Sequence, residues 1–401
     1  MTRRNGVALI AVCAGTLFVA ACGGGSSSHQ NTIATSAPNV QALSVNPGPA
    51  GDYANGVFTS VTVCAPGTST CQTIGGILVD TGSSGLRILS SALTVSLPQQ
   101  NAGDGNPVAE CLPFVSGYAW GPVQSADIQI SGEKGSSVPV QVISNSTFAV
   151  PSACSSRGTP LETLSALGAN GLLGVGTFAQ DCGDACVSTG PGNPELYYEC
   201  PASGCVLTGE PLSQQVPNPV TFFATDNNGV IIELPGVTTP QPSLSGSLVF
   251  GIGTQSNNGL DGATIYEVDA DGNFITSYNN QSYNESFLDS GSNGIYFLTS
   301  GATGIPVCPD ANFFYCPSSP QNLSATTEGA NGTGSSMINF SVGNADNLFN
   351  DNPTAFVFGD LAGPNSLNGF DWGLPFFFGR NVFTAIDGAS TPSGTGPYWA
   401  Y

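Results

Sequence analysis

The sequence predicts an all-β protein built in two halves, and three observations predict it. Glycine, proline, serine, threonine and asparagine recur every several residues and separate short runs rich in valine, isoleucine, phenylalanine and tyrosine, such as Gly56–Cys64, Ala126–Ile130 and Ser247–Ile252. No long stretch keeps a 3.6-residue apolar period; Leu161–Leu167 is the one short helix expected. An Asp-[Thr/Ser]-Gly turn between apolar segments occurs twice, once in each half of the chain. The 355 residues from 47 to 401 are too many for one typical small domain and suit two.

At the N-terminus, Arg3 and Arg4 precede an apolar core that closes on Val19-Ala-Ala-Cys22. Residues 1–21 have the pattern of a secretory signal, and a cysteine directly after the small-residue cleavage pattern marks Cys22 as a lipidation site. An ordinary signal with an incidental cysteine is the alternative. No later segment approaches the roughly 20 apolar residues of a membrane-spanning helix. A lipid on Cys22 is therefore the expected membrane attachment, with the folded part outside the cytoplasm at the bacterial cell envelope; Gly23 after the cysteine is compatible with the outer membrane. Residues 22–46, rich in Gly, Ser, Thr and Ala and without periodicity, are expected to form a flexible tether.

The only histidine of the chain, His29, lies in that tether, which argues against Ser-His-Asp, Cys-His and histidine-ligated metal chemistry. The formal charge is −21, or −23 once Arg3 and Arg4 leave with the signal; only Arg87, Lys134, Arg157 and Arg380 remain basic. Nucleic acid is excluded as a partner, because phosphate binding needs a basic surface. The acidity either keeps a sparsely charged surface soluble or suits acidic surroundings.

Ten cysteines remain beyond Cys13 and Cys22, an even number that predicts five disulfides in an exported chain. Cys64 and Cys71 would clip a hairpin, Cys308 and Cys316 would close a short loop, and Cys111 and Cys154 would pair over a longer distance. The connectivity of Cys182, Cys186, Cys200 and Cys205 is left open by the sequence, with a four-cysteine zinc site as the alternative.

The chemistry centres on the repeated turn. Ile77-Leu-Val-Asp-Thr-Gly-Ser-Ser-Gly-Leu-Arg-Ile-Leu89 places Asp80 between two apolar runs, where an isolated carboxylate is costly unless hydrogen bonds or a shared proton stabilise it. Ser286-Phe-Leu-Asp-Ser-Gly-Ser-Asn-Gly-Ile-Tyr-Phe-Leu298 repeats the arrangement around Asp289. A single Asp-x-Gly is an ordinary turn; two in equivalent contexts point to a pair.

On these residues the chain resembles the pepsin-like aspartic proteases. Val79-Asp-Thr-Gly-Ser-Ser84 matches the first-lobe signature and Leu288-Asp-Ser-Gly-Ser292 the second-lobe form. Asn170-Gly-Leu-Leu-Gly-Val-Gly176 and Phe376-Phe-Phe-Gly-Arg-Asn-Val-Phe383 look like the segments that cross behind the two loops. Leu212–Val220 followed by Ser245–Gly251 looks like the passage into the second lobe. The resemblance spans about Val57 to Asp387 and is nearest to an uncharacterised family of bacterial lipoproteins with this pattern. It implies a two-lobed fold, lobes at 47–222 and 223–401, and a cleft between them. It also implies a catalytic pair, Asp80 and Asp289, sharing one proton, as the handling of such carboxylate pairs in pepsin illustrates. Thr81 and Ser290 would brace the loops, Ser83 and Ser292 would hydrogen-bond the carboxylates, and Gly82 and Gly291 would let the backbone approach closely. No metal or other cofactor is required, and the implied partner of a monomeric protein is a peptide or protein substrate.

The pattern departs in places. Arg87 stands where the family carries a tryptophan, Gly85 and Asn293 are further changes, and the hairpin flap falls at Pro113–Pro122. Phe114 is near the flap-tyrosine position, with Tyr118 and Trp120 a few residues on; Tyr118 is either a displaced flap residue or only packs the hairpin. The cysteine-rich stretch Asp181–Gly209 is an insertion, either a plain loop or a cleft rim or partner surface. Two functions follow: a lipid-anchored aspartic endopeptidase, or a non-catalytic peptide- or polysaccharide-binding protein on the same fold.

Overall fold

In the computed structural model, residues 32–144 and 147–401 are described. The signal, Cys22 and His29 lie outside the described residues. The first half holds β1 (Val40–Asn46), β2 (Gly56–Cys64), β3 (Cys71–Asp80), β4 (Ser84–Leu89), β5 (Val108–Phe114), β6 (Gly117–Ile130), β7 (Glu133–Ile143), β8 (Gly171–Val175), β9 (Tyr197–Glu199) and β10 (Val206–Leu207). The second holds β11 (Gly229–Leu234), β12 (Leu244–Phe250), β13 (Ile265–Glu267), β14 (Phe274–Tyr278), β15 (Gln281–Leu288), β16 (Ile295–Phe297), β17 (Gln321–Glu328), β18 (Ser335–Val342), β19 (Ala362–Gly363), β20 (Phe370–Trp372), β21 (Arg380–Ala385), the small pair β22 (Ser390–Thr391) and β23 (Gly394–Thr395), and β24 (Tyr398–Ala400). Helices are single turns or little more; Leu164–Leu167 forms one, inside the stretch expected to be helical, started by the Thr163 side chain and stopped by Gly168 in the left-handed region.

Each half repeats one device. In the first, β8 runs between β3 and β4, parallel to β3 with Asp80 opposite Gly174, and antiparallel to β4. In the second, β20 runs between β15 and β16, parallel to β15 with Leu288 opposite Trp372, and antiparallel to β16. A strand threaded between the two arms of a turn fixes both arms, so the turn and its carboxylate are held from behind. The second crossing segment is thus Phe370–Gly373. The expected one, Phe376–Phe383, forms instead a helical turn, Leu374–Phe377, followed by β21 in the large sheet.

The stretch assigned to the tether is corrected at its end. Val40–Asn46 is β1, which pairs with β2 of the first half and β12 of the second. Its physical reason is period-two burial: Leu43 and Val45 point into the core while Ala42 and Ser44 do not. The large sheet thereby runs without a break from β10 to β13, and a seven-stranded sheet completes the second half. One apolar cluster extends from Val57 and Val79 through Leu288 to Phe370, Trp372 and Phe376, so both turns sit over a continuous core.

Among the described residues five disulfides form: Cys64–Cys71, Cys111–Cys154, Cys182–Cys186, Cys200–Cys205 and Cys308–Cys316. They suit an extracellular or periplasmic protein. The alternative of a zinc site in the insertion is excluded, because all four sulfurs are consumed as two short clips. Among the described residues no helix is long and apolar enough to cross a membrane.

Candidate active site

The two turns meet. A side chain on Gly82 would lie 2.8 Å from the Asp289 carboxyl carbon, and one on Gly291 would lie 2.8 Å from Asp80 Oδ1. Each glycine is therefore required by the carboxyl group of the opposite turn. The Asp80 and Asp289 carboxyls are themselves within hydrogen-bonding reach of each other. Asp80 is 6% exposed and Asp289 half-buried, so the pair is withdrawn from bulk solvent but open to it on one side.

The hydrogen bonds repeat with two-fold likeness. The Gly82 amide donates to Asp80 Oδ1 at 2.8 Å and the Gly291 amide to Asp289 Oδ1 at 2.7 Å. The Ser83 hydroxyl donates to Asp80 Oδ2, and the Ser292 hydroxyl lies 2.8 Å from Asp289 Oδ2. Asp289 gains a third donor in the Ser292 amide, at 3.2 Å. Behind the carboxyls, Thr81 Oγ1 accepts from the Ser290 amide and donates to the Leu288 carbonyl, while Ser290 Oγ accepts from the Thr81 amide and donates to the Val79 carbonyl.

Burial, and then the charge of Asp289, push the Asp80 pKa up to about 8, against the lowering effect of Ser83 and Gly82. One proton shared by the pair follows from that geometry: two ionised carboxylates at this separation repel, and a single proton between them converts repulsion into a hydrogen bond.

Three neighbours were not singled out by the sequence. Tyr53, in the loop between β1 and β2, donates to the Gly291 carbonyl at 3.3 Å, and its phenol is raised by burial and by both carboxylates. Its ring stands edge-on to Phe58, in space left by Gly56 and Gly168. Asn55, in the same loop, donates to the Asn293 carbonyl and to Phe358, clamping the loop to the second turn. Asp371, on β20, lies 2.7 Å from the Ser292 hydroxyl. The departure at Asn293 has a local use, since its side chain accepts from the Tyr296 hydroxyl at 2.6 Å.

The hairpin expected to be the flap is formed by β5 and β6. Tyr118 and Trp120 pack with Tyr198 and the Cys111–Cys154 disulfide, and Trp120 donates to the Phe148 carbonyl. Phe114 packs between the cluster of Phe58 and Leu161 and that of Leu112 and Val216. Among the described residues, the tyrosines beside the carboxylates are Tyr53 and Tyr296, and both come from outside the flap. The insertion is not a free loop: β9 adds to β5 and extends the hairpin into a small sheet.

Arg87 explains how. It is fully buried, and its Nη2 donates to Glu110 Oε1 at 2.8 Å and Asp181 Oδ2 at 2.9 Å, while Nη1 donates to the Ser84 carbonyl. Tyr197 of the insertion donates to Asp181 Oδ1. Burial and the facing Glu110 push the Asp181 carboxyl well above the usual range, and the Arg87 charge opposes them. A tryptophan could not hold two buried acids; here strand, flap and insertion are joined by charge.

In overall shape the chain is similar to the aspartic proteinase from Irpex lacteus, with a TM-score of 0.51 over 90% of this chain and 96% of that one, at 15% identity. At that identity the likeness establishes the fold alone, a two-lobed, all-β, pepsin-like architecture. None of the curated proteins compared with it matches the chain. Residues 35–401 match the family described as a protein of unknown function, DUF3443, and the chain belongs to that family.

Proposed function

We propose that the protein is an aspartic endopeptidase that hydrolyses peptide bonds with a water activated between Asp80 and Asp289. The observation that carries this is the contact between two turn-held carboxyls, each supplied with the same set of donors. More donors converge on Asp289 than on Asp80, which favours its charged form, and the raised pKa of Asp80 keeps a proton there at neutral pH. Water bound between them loses a proton to Asp289 as its oxygen attacks the carbonyl carbon, and Asp80 gives its proton to the carbonyl oxygen. Collapse of the tetrahedral species breaks the C–N bond, with the proton from Asp289 passing to the departing amine and one hydroxyl proton of the diol returning to Asp80 as the carboxylic acid forms. An extended peptide or protein segment would lie between lobes at about 47–222 and 223–401. Export, a lipid on Cys22 and residence as a monomer at the outer membrane belong to the same proposal and rest on the N-terminal sequence pattern.

Cleavage of an unfolded protein by the full chain, measured across acidic and neutral pH, tests it. Asp80→Asn and Asp289→Asn are each expected to abolish cleavage, and a statine-type mimic of the tetrahedral species to block it. Equal cleavage by parent and variants would end the proposal. The second function, capture of a peptide or polysaccharide without turnover, is favoured by the flap aromatics, which pack into the hairpin sheet. Retention of a bound peptide by Asp289→Asn, with no cleavage by the parent, would select it.

A further inference from the structure

Ser292 stands between two carboxyl groups with one proton to give. Its hydroxyl oxygen is 2.8 Å from Asp289 Oδ2 and 2.7 Å from Asp371 Oδ2. If both acids were ionised, one of these contacts would be an oxygen lone pair against a carboxylate at hydrogen-bond distance with no hydrogen between. One of the two must carry a proton. Asp289 is already served by the Gly291 and Ser292 amides, which favour its charged form. Asp371 has the opposite surroundings: it is 8% exposed, and its other oxygen, Oδ1, is buried without a hydrogen-bond partner, which suits the carbonyl of a neutral acid far better than half of a carboxylate.

We propose that Asp371 is a positioning residue held as the neutral acid: it donates to Ser292, obliges Ser292 to donate to Asp289, and so fixes Asp289 as the ionised member of the pair. The directed chain Asp371–Ser292–Asp289 gives the two-fold site its asymmetry, since Ser83 on the Asp80 side has no such acid behind it in the hydrogen-bond pattern. The groups facing Asp371 agree with a neutral state. They are Asp289 and Asp80 from the two turns, Tyr296 from β16 and, beyond it, Tyr53 from the loop before β2; no lysine or arginine is among them. Burial and the charge of Asp289 accordingly drive the Asp371 pKa well above the carboxylate range, with Ser292 opposing.

The consequence for turnover rests on the peptidase proposal, but the protonation state does not, and the test separates them. In the full chain labelled with carbon-13 at aspartate carboxyls, the Asp371 resonance, identified by its loss in Asp371→Asn, is expected at the protonated position at about pH 6. Titration together with surface aspartates near about pH 4 would overturn the proposal whether or not the protein cleaves anything. Where cleavage is measured, Asp371→Asn replaces one neutral donor by another, and its kcat/KM against pH is expected to superimpose on the parent within about threefold. Asp371→Leu removes the donor and is expected to lower kcat about tenfold or more, with KM little changed and the acid limb moved to higher pH. An acid limb moved to lower pH in Asp371→Asn would mean that a negative charge had been removed, and would also overturn it. A failure of the peptidase proposal would appear separately, as cleavage indifferent to Asp80→Asn.

Discussion

Thr81 and Ser290, 209 residues apart, exchange two hydrogen bonds and anchor two more: each hydroxyl accepts from the other residue's amide and donates to the carbonyl two residues before that residue, Leu288 for Thr81 and Val79 for Ser290. Both side chains are essentially buried, at 3% and 0% exposure. The brace fixes the carboxyls in facing positions.

Replacing Thr81 by valine keeps the shape and leaves the Ser290 amide and the Leu288 carbonyl without partners. A buried polar group left unpaired costs about 1–3 kcal/mol, so Thr81→Val is expected to lose at least about 2 kcal/mol in urea denaturation. Ser290→Ala is expected to lose a similar amount. The double variant is expected to lose clearly less than the sum, because the two residues act as one unit. Strict additivity would show that the turns are not held by each other.

Arg87→Met tests the buried charge cluster. It leaves Glu110 and Asp181 facing each other without a cation, and breaking a buried ion pair in this way costs about 3–5 kcal/mol. The loss is expected to shrink as pH falls, because protonation of Asp181, whose carboxyl burial and the facing Glu110 already push well above the usual range, removes the repulsion. Thermal denaturation of parent and variant at several pH values checks this. A loss independent of pH would mean that packing of the Arg87 stem, not its charge, is what the flap and insertion depend on.

The disulfides differ in what they constrain. Cys111–Cys154 closes a loop with a separation of 43 residues, against 4 for Cys182–Cys186 and 5 for Cys200–Cys205. Loop-closure entropy alone assigns about 4 kcal/mol to the first. The paired substitution Cys111→Ala with Cys154→Ala is therefore expected to lower the denaturation midpoint more than removal of either insertion clip. The same double change unpins the flap hairpin where Tyr118 and Trp120 pack, so proteolytic nicking near the exposed Val115 is expected to rise.

How much of this was legible follows from range. The turns at Asp80 and Asp289 were legible because each is contained in a few consecutive residues whose types are dictated by one tight turn. The first crossing strand was legible for the same reason: Gly171–Val175 is wholly apolar or glycine. The second was hidden by Asp371, an acid in the middle of what would otherwise be an apolar run, and the apolar stretch a few residues later took its place. Strand β1 was hidden because its polar residues face outward among a serine- and glycine-rich stretch. Tyr53 and Arg87 depend on partners 238 and 94 residues away, and no local pattern announces such a contact.

Stability itself is expected to fall as pH rises from acidic to mildly alkaline. A carboxyl whose pKa is higher in the folded state binds its proton more tightly there, so its favourable contribution is complete below the unfolded value and is lost as pH climbs through the folded one. Asp80 is raised to about 8 by burial and by Asp289, and Glu210 and Glu233 are raised to about 7, chiefly by burial. Asp181 and Asp371 are raised in the same direction, also chiefly by burial. All five therefore act with one sign, and the window runs from about pH 4, where free carboxyls titrate, to about pH 8. The melting temperature is expected to be higher at about pH 5 than at about pH 8, and the slope between them to flatten in Asp80→Asn and in Glu233→Gln, each of which removes one of the contributing titrations. A melting temperature that rises across this window would mean that the buried acids are ionised and compensated in the folded state.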